Sequence, residues 1–237
     1  MPMLVMKLRK QRVESLGWMC KMRKLISILF ICLWVLANSS FVNSKEVEFE
    51  KSFVLKKFKK IPKEFDDGNW GNLIQKIIPS KKYKYWECRR YEDFIPNKII
   101  AKSGDTSQQQ KIKAINCNSG FFRQCLPGSC FQFIIAINQN DSIEVIDREE
   151  KLRGFIGEID NLEEALLVAK SYGYWFDKNN KIGGAYRILD GDYYLYLLSY
   201  SQTPVTYTSI KVILKKNGQL KLVDSKVYKK TNEFYIN

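Results

Sequence analysis

The chain has 237 residues, with 39 Lys and Arg against 25 Asp and Glu, which gives a formal net charge of +14. It contains no histidine, so Ser-His-Asp catalysis, Cys-His catalysis and metal binding through imidazole are excluded. Carboxylates are the side chains left for acid–base chemistry. The basic residues do not follow the pattern of a nucleic-acid-binding module, so no nucleic-acid partner is expected.

The N-terminal segment has the three parts of a secretory signal peptide. A basic cluster at residues 21–24 precedes the uncharged apolar run 25–37, and small and polar residues follow over 38–44. We therefore predict a signal peptide within residues 1–44 and an exported protein, in the periplasm or the medium. Met22 is an alternative translation start, because the residues before it add nothing to such a signal.

The alternative localisation is an inner membrane, with the chain anchored through residues 25–42. That segment is short for a transmembrane helix, which needs about 20 apolar residues. A cleaved signal peptide is therefore the preferred interpretation.

Basic residues concentrate after the signal, notably in "KSFVLKKFKKIPK", Lys51–Lys63. One interpretation is a solvated basic extension over residues 45–82. The other is contact with a membrane surface through residues 51–63, which requires an amphipathic helix. Its apolar face would consist of Val54, Leu55, Phe58 and Ile61.

Export leaves four cysteines, Cys88, Cys117, Cys125 and Cys130. An even number of cysteines in an oxidising compartment favours two disulfides. Their spacing fits neither a zinc site nor a Cys-x-x-Cys redox pair, so no metal and no other cofactor is predicted.

We predict the pairing Cys125–Cys130, with Cys88–Cys117 following by elimination. In "CLPGSC", Pro127 and Gly128 suit the central positions of a tight turn. Such a turn brings the flanking Cα atoms within the roughly 4.4–6.8 Å that a disulfide spans.

The predicted α+β domain covers residues 83–237. Its first half is predicted to consist mainly of strands. The aromatic-rich stretch 83–95 is predicted as a strand and the polar stretch 102–111 as an exposed loop. "CFQFIIAI" and "SIEVID" are predicted as two further strands, separated by the turn "NQND".

Two helices follow. A short helix is predicted through "REEKLRGFI", with Asp147 as its N-cap. The second runs over Leu162–Tyr172, with a capping pair formed by Asp160 and Glu163 and an exit at Gly173. One buried face of this helix is predicted to hold Leu162, Ala165, Leu166 and Ala169.

The C-terminal third consists of predicted hairpins. Asp190-Gly191 and Asn217-Gly218 each separate two strand-like runs, and both dipeptides favour hairpin turns. In the strand-like run before Asn217-Gly218, Ile210, Val212 and Leu214 alternate with more polar residues. We therefore predict an α+β fold, an antiparallel sheet of hairpins packed against one or two helices and supported by disulfides.

The stretch "FIGEIDNLEEALLVAKSYGYWFD", followed by "GGAYRI" and "YYLYLLSYSQTPVT", resembles small exported proteins of Bacteroidota. The similarity covers roughly residues 130–230. It implies export, and it implies no activity, ligand or site residue.

Three pairs of identical adjacent carboxylates are the candidates for acid–base chemistry, but neighbours in sequence point in different directions and do not by themselves form a catalytic pair. The pairs are Asp66/Asp67, Glu149/Glu150 and Glu163/Glu164. Both Glu pairs lie in predicted first turns of helices, where carboxylates meet the helix dipole favourably. Gly183-Gly184 precedes a strand and is interpreted as a turn.

Clustered aromatic residues are the candidate binding surface. Tyr85, Trp86, Tyr174 and Trp175 have the large contact area that binds sugars or protein partners. The alternative for aromatic residues in strands is packing in the core or across strands.

The function expected from these features is an exported, non-enzymatic binding or interaction protein whose partner is an envelope component or another protein. The alternative is a carboxylate hydrolase acting on an envelope or extracellular polymer. A buried cleft with two acids about 5–10 Å apart would favour the hydrolase.

Overall fold

Two antiparallel sheets contain the strands of the described part of the chain. A computed structural model of the chain describes residues 45–46, 53–65, 70–92, 95–124, 130–202 and 204–231. The strands are β1 (Lys45–Glu46), β2 (Lys59–Lys60), β3 (Tyr83–Glu92), β4 (Ile95–Gly104), β5 (Phe121–Gln124), β6 (Cys130–Asn138), β7 (Ile143–Ile146), β8 (Ala185–Leu189), β9 (Asp192–Gln202), β10 (Val205–Leu214) and β11 (Leu220–Lys230). The α-helices are α1 (Gly71–Ile74), α2 (Gln109–Ile112), α3 (Glu149–Ile156) and α4 (Leu162–Ser171).

The six-stranded sheet has the order β1-β11-β10-β9-β8-β2. The five-stranded sheet has the order β4-β3-β6-β5, and β7 also pairs with β6. All the pairings between these strands are antiparallel. The α+β class is therefore confirmed, and the fold has one sheet more than the sequence predicts.

Local turn chemistry explains the C-terminal hairpins. Asp190 and Gly191 have φ values of 52° and 81°, the positive pair that a two-residue type I′ turn requires. The second hairpin has a loop of three residues, because the Lys215 N–H donates to the Gln219 carbonyl at 2.9 Å. Gly218 supplies the positive φ of that loop, 79°.

Helix α4 is buried on every side. It ends at Ser171, one residue before the predicted end, and Gly173 follows with φ of 86°. All seven residues from Glu164 to Lys170 are buried, because one core contains side chains from this helix and from both sheets. The apolar face predicted from the sequence is therefore only part of the buried surface of α4.

The cap of α4 lies one residue later than predicted. Asn161 is the N-cap, and its side chain accepts the Glu164 N–H at 2.8 Å. In return, the Glu164 carboxylate accepts the Asp160 N–H at 2.7 Å. Asn161 therefore caps the helix while Glu164 binds the backbone one residue before the cap, and the predicted pair of Asp160 and Glu163 is wrong.

The N-cap predicted for α3 is also wrong. Arg148 occupies that position and its side chain makes no capping hydrogen bond. Asp147 instead forms an ion pair with Lys151 at 2.9 Å.

The predicted N-terminal extension is not separate from the domain. A compact unit extends over Lys45–Asn237, and β2 pairs with β8 through Lys60 and Ala185. Further along the predicted extension, Trp70 and Leu73 are buried in the core shared by the two sheets. Residues 59–61 and 70–77 are therefore part of the folded domain.

The amphipathic membrane helix predicted for residues 51–63 is not found over residues 53–63, which the structure describes. Phe53–Lys57 is a 3-10 turn and β2 follows it. Phe58 is 5% exposed and packs edge-on against Tyr196, with 4.9 Å between ring centroids. Ile61 is 1% exposed, so these apolar side chains stabilise the fold and do not face a membrane.

Within the described residues, no helix has the length and apolar character that crossing a membrane requires. The predicted signal peptide and the alternative anchor at 25–42 lie outside the described residues.

The predicted Cys88–Cys117 disulfide is not formed, and both cysteines are free. Cys88 lies in the main core, on the same side of the five-stranded sheet as Trp86. Cys117 packs on the opposite side, against the cluster that contains Phe133. The sheet separates the two sulfur atoms, which elimination from sequence could not reveal. Cys125 lies outside the described residues, so the Cys125–Cys130 link stays a prediction.

Candidate functional site

Two of the predicted binding aromatics are interior residues. Tyr85 is 0% and Trp86 is 3% exposed, and the alternation of β3 places them on opposite faces of the sheet. Trp86 packs edge-on against Phe155, with ring centroids 5.7 Å apart. The packing alternative is correct for this pair, which forms no exposed binding face.

Tyr174 and Trp175 are half-buried and lie in the segment that follows α4. The backbone of Trp175 exchanges two hydrogen bonds with Leu198, at 2.8 and 2.7 Å. The Lys170 ammonium group lies over the Trp175 ring. The structure therefore does not bring the four predicted aromatics together on one surface.

The Glu pairs lie in the first turns of α3 and α4, as predicted. Glu164 is fully buried and also accepts the Ile78 N–H at 2.7 Å, and burial raises the pKa of its carboxyl group. Glu149 accepts the Phe122 N–H at 3.1 Å. These acids tie chain segments together, whereas Asp66 and Asp67 lie outside the described residues.

A polar cleft of about 860 Å³ opens on the face of the five-stranded sheet opposite the main core. Strand β3 contributes Glu87, Arg89 and Tyr91 to its wall, which the two-residue period of a strand places on one face. Strand β4 contributes Asn97 and Ile99, and the rest comes from residues 106–118. We call this the amide cleft after its five amide side chains. They are Asn97, Gln109, Gln110, Asn116 and Asn118.

A buried ion pair forms the floor of the amide cleft. The Arg89 Nε–H donates to Glu87 Oε1 at 2.6 Å. The Tyr85 hydroxyl and the Gln109 side-chain amide donate to Glu87 Oε2 at 2.7 and 3.1 Å. Burial, followed by the hydrogen bond to Glu87, raises the pKa of Tyr85. Glu87 is therefore fully engaged, and its charge is balanced by Arg89.

Arg89 also fastens the chain that borders the cleft, residues 105–118, which we call the clamped segment. Its Nη1 donates to the Ile115 carbonyl at 2.6 Å and its Nη2 donates to the Ile112 carbonyl at 2.9 Å. These carbonyls lie at and just after the C-terminus of α2, where a cation also meets the helix dipole favourably. The clamped segment is thus held at its centre by a side chain of β3.

Asp141 makes a second attachment of the clamped segment, at the turn between β6 and β7. Its carboxylate pairs with Lys84 at 2.6 Å and with Lys111 at 2.9 Å. The hydrogen bonds from these two ammonium groups lower the pKa of Asp141 to about 2. The loop predicted for residues 102–111 is therefore wrong: residues 102–104 belong to β4, and the two attachments hold the rest as an ordered turn and helix.

The amide cleft contains few titratable side chains. Its lining contains a single carboxylate, Glu87, and a single cysteine, Cys117. Burial raises the pKa of the Cys117 thiol, which keeps the sulfur protonated and weakly nucleophilic at neutral pH. Across the described residues, no three His, Cys, Asp or Glu side chains cluster as a metal site.

A second cavity, of about 540 Å³, lies between Ser80, α3 and the β10–β11 loop. Its lining also contains one carboxylate, that of Glu158. Arg153 spans part of it, donating to the Ser171 carbonyl at 3.2 Å and lying 4.5 Å from the centroid of the Tyr172 ring.

Sequence reasoning missed the amide cleft, although two signals were present. Glu87 and Arg89 alternate with apolar residues in a stretch recognised as a strand, so both belong to one face. The stretch "DTSQQQKIKAINCNS" is rich in amides, and its first part belongs to the exposed loop predicted for residues 102–111.

No protein-family model matches the chain, and the same holds for curated proteins and for solved structures.

Proposed function

We propose that the protein is an exported, non-enzymatic binding protein whose ligand occupies the amide cleft. The observation that supports this most strongly is the preformed cleft itself, whose volume of about 860 Å³ lies within the usual range for ligand sites. Arg89 holds the clamped segment in place before any ligand arrives. A preorganised site loses less conformational entropy on binding, which favours affinity.

A hydrolytic role has less support. A carboxylate glycosidase brings two carboxyl groups to within roughly 5–10 Å of each other on either side of the scissile bond. Glu87 is the carboxylate in the lining of the amide cleft, and three donors already engage it. Its side chain is 0% exposed.

Export is the part of the proposal that rests on the sequence. It is supported by the signal-like pattern of residues 21–44 and by the resemblance to exported proteins of Bacteroidota. The Cys125–Cys130 disulfide, which an oxidising compartment would maintain, belongs to the same proposal. N-terminal sequencing of protein recovered from the periplasm or medium should begin near Ser40 or Lys45. Recovery of chains that retain Met1 or Met22 in the cytosol would contradict export.

The binding role is tested by sedimentation with insoluble envelope material from the producing cell. Wild type is compared with the double variant Gln110→Ala/Asn118→Ala and with Gln139→Ala. Gln110 and Asn118 are exposed in the cleft lining, whereas Gln139 is exposed in the β6–β7 turn. We expect wild type and Gln139→Ala to sediment with the envelope material and the double variant to remain largely in solution.

Two results would contradict the proposal. Equal sedimentation of all three proteins would show that the amide cleft is not the binding site. Release of soluble fragments from the envelope material by wild type would favour the hydrolase.

A further inference from the structure

We propose that the amide cleft takes an uncharged glycan chain, an inference that rests on the binding function proposed above. Five amides and the hydroxyl groups of Thr106 and Ser107 supply most of its polar lining. Each amide presents one acceptor oxygen beside two donor hydrogens. The hydroxyl groups of a sugar both donate and accept, so they match such a wall without any net charge.

One amide oxygen in the wall lacks a partner. The Asn97 Nδ2 donates to Asn116 Oδ1 at 3.1 Å, and the Asn97 Oδ1 is buried without a hydrogen-bond partner among the described residues. A buried acceptor left unpaired costs roughly 1–3 kcal/mol. A rotation of the Asn97 side chain toward the cleft would expose this oxygen to a ligand hydroxyl, which would supply the missing donor.

The charged groups of the cleft do not favour an ionic ligand. Anion sites in proteins typically present Arg N–H groups in a fork, but Nε, Nη1 and Nη2 of Arg89 already bond to Glu87, Ile115 and Ile112. Glu87, the group that would attract a cation, is neutralised by the same Arg89. The exposed Lys113 is the remaining charged residue of the lining.

A peptide strand added to the sheet is also disfavoured. β4 is the edge strand beside the cleft, and adding a strand there would need its outward backbone groups. At Lys102 these backbone groups already bond to the Gln75 side chain. The Gln75 Nε2 donates to the Lys102 carbonyl at 3.0 Å, and the Gln75 Oε1 accepts the Lys102 N–H at 3.2 Å. At this position the Gln75 amide occupies the backbone groups that an added strand would need.

A fixed aromatic ring completes the cleft. Tyr91 stacks on Phe131 with centroids 4.8 Å apart and an interplanar angle of 14°, and it also contributes to the lining. A tyrosine ring held in this way offers apolar contact area together with a hydroxyl group. Sugar rings, which have apolar C–H faces and polar edges, fit that combination.

The test is an NMR titration of ¹⁵N-labelled protein in which the backbone amide chemical shifts are recorded as each ligand is added. The protein is produced from the full-length gene and exported by the host. The probes are neutral gluco-, manno-, xylo- and chito-hexaose, with polygalacturonate and a mixed peptide library as the other ligand classes. We expect one or more hexasaccharides to shift the signals of residues 97–99 and 106–118. Gln110→Ala/Asn118→Ala should weaken that binding about tenfold, since each lost neutral hydrogen bond contributes about 0.5–1.5 kcal/mol. Gln139→Ala should bind as wild type does.

Each other outcome overturns the inference. Shifts in the cleft with polygalacturonate or peptides alone would refute the neutral glycan and leave the binding function standing. The absence of shifts in the cleft with every hexasaccharide would also refute it, and the envelope sedimentation experiment would then decide the binding function separately. Hexasaccharide binding that the double variant retains in full would place the glycan elsewhere.

Discussion

Glu87 and Arg89 lie two residues apart on β3, and the Arg89 Nε–H donates to Glu87 Oε1 over 2.6 Å in the interior of the protein. The same guanidinium group bonds to the carbonyls of Ile112 and Ile115. One side chain therefore neutralises a buried carboxylate and fixes the clamped segment. The amide cleft depends on this ion pair.

Arg89→Ala should lower the free energy of unfolding by about 3–5 kcal/mol, because it leaves the Glu87 charge buried and unpaired. The measurement is chemical denaturation at neutral pH. Arg148→Ala is the control, since the Arg148 side chain is 64% exposed and lies 4.0 Å from its acidic partner. Equal midpoints for the two variants would show that the buried pair does not stabilise the fold.

Leu166→Ala should lower the free energy of unfolding by about 2–5 kcal/mol, because it opens a cavity where α4 meets the core. Leu166 is 1% exposed, whereas Leu222 on β11 is 52% exposed. Leu222→Ala is therefore the matched control and should change stability by less than about 1 kcal/mol. Similar losses in the two variants would contradict the burial of α4.

Two glycines should respond to alanine in opposite directions. A Cβ at Gly154, within α3, would meet no atom within 4 Å, so Gly154→Ala should stabilise the protein by about 0.5–1 kcal/mol. A Cβ at Gly184 would overlap the Asp177 carbonyl oxygen, and Gly184→Ala should destabilise by about 1–3 kcal/mol. The measurement is the melting temperature of each variant relative to wild type. Changes of the same sign in the two variants would contradict this account.

Cys88 and Cys117, the free cysteines of the described residues, should differ in reactivity. Cys88 is fully buried and Cys117 is half-buried, and burial raises the pKa of both thiols. Iodoacetamide should therefore label Cys117 slowly in the native protein and Cys88 only after unfolding, as read by peptide mass spectrometry. A disulfide-linked peptide containing both residues would refute the structural assignment. The same map tests the predicted Cys125–Cys130 link.

The stability that Asp141 contributes should depend on pH in a defined way. Ion pairs with Lys84 and Lys111 lower its pKa from the ordinary 3.8 to about 2. The contribution is therefore present in full above about pH 4 and is lost as pH falls through 2. Asp141→Asn suits the comparison, because Asn also tolerates the positive φ of 65° found here. A difference in melting temperature that is constant between pH 7 and pH 2 would contradict the ion-pair account.

The elements that sequence predicts correctly are those specified by neighbouring residues. Asp190-Gly191 determines its turn through its own backbone preferences, and Leu162–Ser171 is recognised by its apolar spacing and its glycine exit. The cap of α4 was misplaced by one residue because Asp160 and Asn161 are both suitable N-caps. Tertiary contacts decide between them.

The features that sequence did not predict depend on contacts between distant parts of the chain. Lys60 pairs with Ala185, and Arg89 bonds to Ile112 and Ile115. Phe58 lies among lysines in sequence, so its burial against Tyr196 has no local signal. The same limit explains why the amide cleft was missed and the Cys88–Cys117 disulfide was predicted wrongly.

The central claim, that the amide cleft is the binding site, is tested most directly by amide hydrogen–deuterium exchange with and without insoluble envelope material from the producing cell. We expect slower exchange over residues 106–118 when the envelope material is present, and no change in the β6–β7 turn at residues 139–142. Slower exchange confined to residues 217–219, beside the second cavity, or unchanged exchange over residues 106–118 would contradict the claim.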